Sequence, residues 1–170
     1  MHYPIRVLFL CTHNSARSQI AEGLLRHHGQ ADFLVASAGT DPQGIHPLAI
    51  QVMDEAGIDI RDQQSTPLQV YLDHTFDFII TVCDRANDTC PTFPGDPERI
   101  HWGFPDPSQV EDRLDDRIRA FRKVRIEMQM RIQGFILVQR KQLYEQGILT
   151  RPGAEAFRSS SATLPNAGEP

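Results

Sequence analysis

Apolar positions follow two rhythms along the chain. Ile5–Leu10 is an apolar run, rich in β-branched and aromatic side chains, as expected of a parallel strand buried on both faces. The period then changes: across Ser15–Gly29, Ile20, Leu24 and Leu25 share one helical face, and Gly29 supplies a stop. Phe33–Ala38 predicts a second strand closed by Gly39. Pro47–Ala56 predicts a helix (Leu48, Val52, Met53, Ala56) ended by Gly57. Phe76–Val82 reads as a third buried strand that stops on Cys83, and Arg99–Trp102 as a short fourth. From Val110 to about Tyr144, Leu114, Ile118, Phe121, Val124, Met128, Ile132 and Ile136 recur near helical spacing in a charged context. That pattern predicts a long last helix laid across a sheet. Strand–helix alternation predicts an α/β fold, a four-stranded parallel sheet flanked by helices on both faces, with right-handed crossovers (Rossmann- or flavodoxin-like). After Gly147 the chain turns to Pro, Gly, Ser, Ala and Thr with few apolar anchors. The expectation is one domain over 1–147 and a disordered tail over 148–170.

Composition narrows the function more than the fold. The chain has 170 residues and a formal net charge of −5, with no long basic run, so nucleic acid is not an expected partner. Small anions stay open, because a local site can be positive within an acidic protein. No apolar stretch approaches the roughly 20 residues needed to span a bilayer, so no membrane partner is expected. The N-terminus M-H-Y-P-I-R does not read as a signal peptide. The cytoplasm, where thiols stay reduced, is the expected compartment, and a monomer the expected state. Three cysteines, an odd number, do not make a disulfide framework; they are small buried residues or chemically active ones.

The first loop favours chemistry. Cys11 ends strand 1, and C-T-H-N-S-A-R-S (Cys11–Ser18) leads into a helix N-terminus. Ligands of open α/β sheets bind at the carboxyl ends of strands. Backbone N–H groups of Thr12, His13, Asn14, Ser15, Ala16, Arg17 and Ser18 would there form an oxyanion cradle, aided by the helix dipole. Arg17 offers a planar fork for two oxygens of a tetrahedral anion. The same field should lower the Cys11 pKa and make it a thiolate nucleophile, with Ser18 as a hydrogen-bond donor.

These residues, followed by Q-I-A-E-G-L-L-R, closely resemble the arsenate reductases built on the low-molecular-weight tyrosine phosphatase fold. Further matches are S-A-G-T (Ser37–Thr40), H-P-L-A (His46–Ala49), T-V-C-D (Thr81–Asp84), C-P-T-F-P-G (Cys90–Gly95) and H-W-G-F-P-D-P (His101–Pro107), so the similarity runs from Ile5 to Ile136. The resemblance implies a phosphatase-like fold, a general acid at Asp106 and a thiol relay from Cys11 through Cys83 to Cys90. In that relay Cys83 attacks the arsenylated Cys11, and Cys90 then captures Cys83 and presents the disulfide to an external reductant. The implied activity is arsenate reduction to arsenite, an arsenic-resistance function. No cofactor is expected to be tightly bound. The implied partners are arsenate or phosphate and thioredoxin, with glutaredoxin or a low-molecular-weight thiol as alternatives.

Two rivals remain open. One is a phosphatase acting on phosphotyrosine or other phosphomonoesters. Against it, Ala16 replaces the second loop cysteine usual in such enzymes, and Ser108 and Gln109 follow Pro107 where they carry an aromatic pair. The other is a non-catalytic oxyanion-binding or thiol-sensing module. The thioredoxin-coupled branch can also hold potassium under the loop, here at Asn14, Glu22 and Ser37. However, Ser65 and Thr66 stand where an acid is expected, which weakens a hard-cation site.

Overall fold

The computed structural model describes residues 4–149. Its strands are β1 (Ile5–Cys11), β2 (Phe33–Gly39), β3 (Phe78–Thr81) and β4 (Glu98–His101). Its α-helices are α1 (Arg17–Gly29), α2 (Pro47–Glu55), α3 (Asp84–Asp88) and α4 (Leu114–Glu145). Short 3-10 turns occupy Gln30–Asp32, Leu68–Tyr71 and Pro107–Gln109. The four strands form one parallel sheet in the order β2-β1-β3-β4. Of the tail expected over 148–170, residues 150–170 lie outside the described ones. The described residues fall into two units, the first ending at Ile136 and the second beginning at Leu137. In the described part of the second unit α4 ends at Glu145, followed by a turn in which Ile148 N–H donates to the Leu143 carbonyl at 2.9 Å. Everything below concerns the first.

Helices cover both faces, as the near-continuous apolar strands require. Alternate residues of a strand share a face. Phe33 of β2, Phe78 of β3 and Trp102 just beyond β4 all meet Phe135 of α4, with ring centroids 5.1–6.0 Å apart. Ser37, on that same face, bonds Glu22 of α1. On the opposite face Thr81 and His101 meet α3. Between these layers Leu8, Phe9, Ile79 and Ile80 are completely buried. Each such side chain contributes about 1.5–3 kcal/mol by leaving water.

The boundaries depart from the periodic pattern where side chains take over backbone bonds. β3 starts at Phe78 rather than Phe76, because the Asp77 carboxylate accepts the Arg6 N–H at 2.7 Å in place of a ladder bond. α1 starts at Arg17 rather than Ser15, because Asn14 adopts φ 45° and the loop has yet to close. α4 starts at Leu114 rather than Val110, which is extended (φ −75°, ψ 109°) after the Pro107–Gln109 turn.

Candidate active site

β1 carries Cys11 to the carboxyl edge of the sheet, opposite Gly39 of β2 and one residue beyond the Leu10–Thr81 pair with β3. The loop from Thr12 to Ala16 is held from outside. The Thr12 carbonyl accepts from Asp41 N–H (2.9 Å), His13 from Gln43 N–H (3.0 Å), Asn14 from Gln19 Nε2 (3.0 Å) and Ser15 from His46 N–H (2.9 Å). A trans peptide points its N–H opposite its carbonyl. With these carbonyls turned out, the N–H groups of His13, Asn14, Ser15 and Ala16 point the other way, the kind of backbone arrangement that suits an anion.

Asn14 is the loop's brace. It is fully buried and takes the left-handed conformation that Asn tolerates. Its Nδ2 donates to Ser18 Oγ (2.8 Å) and Ser37 Oγ (2.9 Å), while its Oδ1 accepts from Thr66 N–H (2.8 Å). The Ser65 hydroxyl donates toward the carbonyls of Asn14 (2.9 Å) and His13 (3.2 Å). Sequence reasoning saw Ser65 only as a missing acid; its hydroxyl is a loop support.

The positions weighed for potassium are wired to one another. Asn14 offers Ser37 an NH₂ group rather than an oxygen. Glu22, buried and pushed up by desolvation, is bonded by Ser37 and paired with Arg26, whose Nη2 also reaches the Val35 carbonyl at 3.1 Å. The expected donors Asn14, Glu22 and Ser37 do meet, and the Arg26 guanidinium pairs with Glu22. The i,i+4 spacing of Glu22 and Arg26 was a readable signal for that pair.

Arg17 projects from the first turn of α1, nearly buried. Its Nη1 donates to the Phe104 carbonyl at 3.0 Å and its Nη2 pairs with Asp106 Oδ2 at 3.1 Å. The other Asp106 oxygen accepts from Ser108 N–H (3.0 Å) and Ser108 Oγ (2.7 Å). Asp106 is thereby brought to the loop by a guanidinium that can exchange it for an oxyanion. Ser18 is fully buried, and its Oγ accepts from Asn14 Nδ2. His13, at the rim, meets the Asp41 carbonyl at 3.3 Å.

Cys83 ends at the same edge and caps α3. Its Sγ accepts from Ala86 N–H at 3.4 Å and lies 3.5 Å from Thr12 Oγ1. It also hydrogen-bonds Cys11. The Cys11 bond, then those from Thr12 and Ala86 and the Arg17 charge, outweigh burial and bring Cys83 down to about 5. The bond to Cys83, with burial, pushes Cys11 up. In the anion-free site the directions differ from the expectation of a depressed Cys11: Cys83 is lowered and Cys11 raised. Thr12, expected only as an oxyanion donor, also meets the Cys83 sulfur through its Oγ1. Cys90, half-buried beyond α3 and pushed up by desolvation, is not part of the cluster.

The geometry therefore joins Cys11, Arg17, Cys83 and Asp106 around one cradle. The sequence matches the low molecular weight phosphotyrosine protein phosphatase family over residues 6–147. The chain belongs to that family. Among the family's members, an arsenate reductase from Shouchella clausii is 43% identical over 129 residues, 76% of this chain and 93% of the relative. A solved arsenate reductase in its oxidised state superposes with a TM-score of 0.68 at 30% identity, covering 78% of this chain and 96% of that one. A thioredoxin-dependent arsenate reductase from Corynebacterium glutamicum gives a TM-score of 0.54 at 33% identity, covering 78% of this chain and 64% of that one. This member carries Cys11 and Arg17 at the two ends of the loop after β1, with a second free thiol, Cys83, at the same edge of the sheet.

Proposed function

We propose that the protein is an arsenate reductase that passes oxidation through Cys11, Cys83 and Cys90 to thioredoxin in the cytoplasm, with residues 1–147 as the catalytic domain. One observation carries the reading: Cys83 lies at the same edge of the sheet as Cys11, its Sγ 3.5 Å from the Oγ1 of Thr12, the residue that follows Cys11. A phosphatase needs one nucleophile, and a neighbouring thiolate would only compete for its proton. A reductase needs a second thiol to break the bond that the first one makes.

The reaction begins as the oxyanion displaces Asp106 from Arg17 and binds the inward N–H groups. Cys11 passes its proton to Cys83 and attacks arsenic. One arsenate oxygen leaves as water, protonated by Asp106, and a Cys11–arsenic(V) thioester remains. Cys83, once deprotonated, attacks the Cys11 sulfur. The sulfur–arsenic bond breaks, its electron pair stays on arsenic, and arsenite departs as a Cys11–Cys83 disulfide forms. Cys90 then attacks Cys83, giving a Cys83–Cys90 disulfide and a free Cys11. A reduced dithiol, in this proposal thioredoxin, restores the two thiols.

The test is arsenate-dependent NADPH oxidation in the presence of thioredoxin and thioredoxin reductase, run beside p-nitrophenyl phosphate hydrolysis. Turnover that requires all three cysteines supports the relay. Turnover that persists in Cys90→Ser with thioredoxin alone overturns it, and fast phosphate-ester hydrolysis without arsenate reduction overturns the activity.

A further inference from the structure

β4 touches the segment between Cys83 and Cys90 at both ends, from a single face. His101 Nε2 meets Asp84 Oδ1 at 2.9 Å, and its Nδ1 shares a proton with Thr81 Oγ1 at 2.8 Å. Two residues earlier, Arg99 Nη2 donates to the Pro91 carbonyl at 2.6 Å, and its Nη1 reaches the Cys90 carbonyl at 3.5 Å. Gly103 leaves room for the first contact. A Cβ there would lie 3.3 Å from His101 Nε2 and 3.6 Å from Asp84 Oδ1. Between the two anchor points, α3 is five residues long and buries only Ala86. A helix that short does not persist on its own propensity. What keeps it formed is what holds its ends.

We propose that Arg99 and His101 are positioning residues, a two-point clamp that keeps Cys90 away from Cys83 in the reduced protein and so sets the balance of the last thiol exchange. The inference rests on the relay reading above. In that exchange the Cys90 thiolate attacks the Cys83 sulfur of the Cys11–Cys83 disulfide. The bond to Cys11 breaks, the Cys83–Cys90 bond forms, and Cys11 leaves as a thiolate, with no added oxidant. At about 1.5 Å per helical residue the two Cα atoms stand about 10 Å apart. A disulfide spans no more than about 7 Å. Closing the gap requires α3 to unwind, which draws Asp84 from His101 and the Cys90 carbonyl from Arg99. The clamp contacts therefore belong to the dithiol state and oppose the disulfide.

The experiment uses a Cys11→Ser background, in which Cys83 and Cys90 are the only pair, equilibrated against reduced and oxidised glutathione. Asp84→Ala and Arg99→Ala should each shift the equilibrium toward the disulfide about threefold, about 14 mV in potential. The two together should shift it about tenfold, about 30 mV. His101→Ala should match Asp84→Ala and add nothing to it, and Arg99→Lys should restore part of the parent value. Amide exchange across 84–91 in the dithiol form should quicken in the same order. Potentials equal to the parent in all variants overturn the clamp while leaving the relay standing. A parent that forms no Cys83–Cys90 disulfide overturns both.

Discussion

Replacing Gly39 by alanine tests whether the cradle is built from backbone held in place by its surroundings. Gly39 ends β2 beside Cys11, and a Cβ there would lie 2.6 Å from the Thr12 carbonyl oxygen, 2.9 Å from Asn14 N and 3.0 Å from Asn14 Cβ. Two of these atoms are backbone, so no side chain can rotate away. The loop itself must yield by several tenths of an ångström. It is held against that by Asp41 on the Thr12 carbonyl and by Thr66 on Asn14 Oδ1. Overpacking of this kind costs about 1–3 kcal/mol, here toward the upper end. For a chain of this size that lowers the melting temperature by roughly 4–10 °C. The larger effect should be functional, since displacing positioned groups by about 1 Å can cost about 10²-fold. Calorimetric titration with phosphate should show at least a tenfold weaker Kd, and phosphate should no longer raise the melting temperature. Gly134→Ala is the control, since its Cβ meets nothing within 4 Å. A Gly39→Ala protein that binds phosphate as the wild type does would refute the backbone cradle.

Thiolate absorbance should report one thiolate per chain at neutral pH, disappearing as pH falls through about 5, the depressed value of Cys83. Between that value and the ordinary 9.0 the unfolded chain binds more protons than the folded pair, so this pair's contribution to stability grows with pH; the raised Cys11 reverses the slope above it. A neutral-pH spectrum without thiolate would contradict the assignment. Asp106→Asn keeps the shape of the Ser108 contacts but cannot supply a proton, so single-turnover arsenate reduction should slow by about 10²–10⁴-fold with phosphate affinity little changed; an unaltered rate removes Asp106 as the acid. Exchanging potassium for sodium should leave the melting temperature unchanged. Arg26→Met should cost about 1–2 kcal/mol by stranding Glu22, and full stability in that variant would show that Arg26 does not fill the cation's place.

The alternation of strand and helix, and the cysteines at two strand ends, were legible because period and terminus are local properties of the chain. Cys11, Arg17 and Asp106 followed from a motif and a resemblance, and the geometry joins them. What the sequence concealed is how one site's groups divide among partners. Cys83 is lowered by its bond to Cys11 and by the Thr12 Oγ1 and Ala86 N–H that meet its sulfur, a meeting of three segments that no spacing reveals. Asn14, Glu22 and Ser37 do meet, and what spacing did not bring forward is that Arg26, one turn further along α1, pairs with Glu22. Val110 was placed in the last helix because apolar spacing continues smoothly through it; the Pro107–Gln109 turn delays the start to Leu114.

A pocket floored by peptide N–H groups perceives only the size and charge of a tetrahedral anion. Phosphate and arsenate present nearly the same outline, so the loop from Thr12 to Ala16 has little means of preferring one at the point of entry. Under the proposed chemistry, selectivity is exercised afterwards, in time. A bound phosphate has no route to reduction by Cys83 and must depart as it came, whereas arsenate, once joined to sulfur, is committed. The enzyme's working rate is then set by the ratio of the two anions in its surroundings, and every phosphate encounter is an interval during which the site is idle.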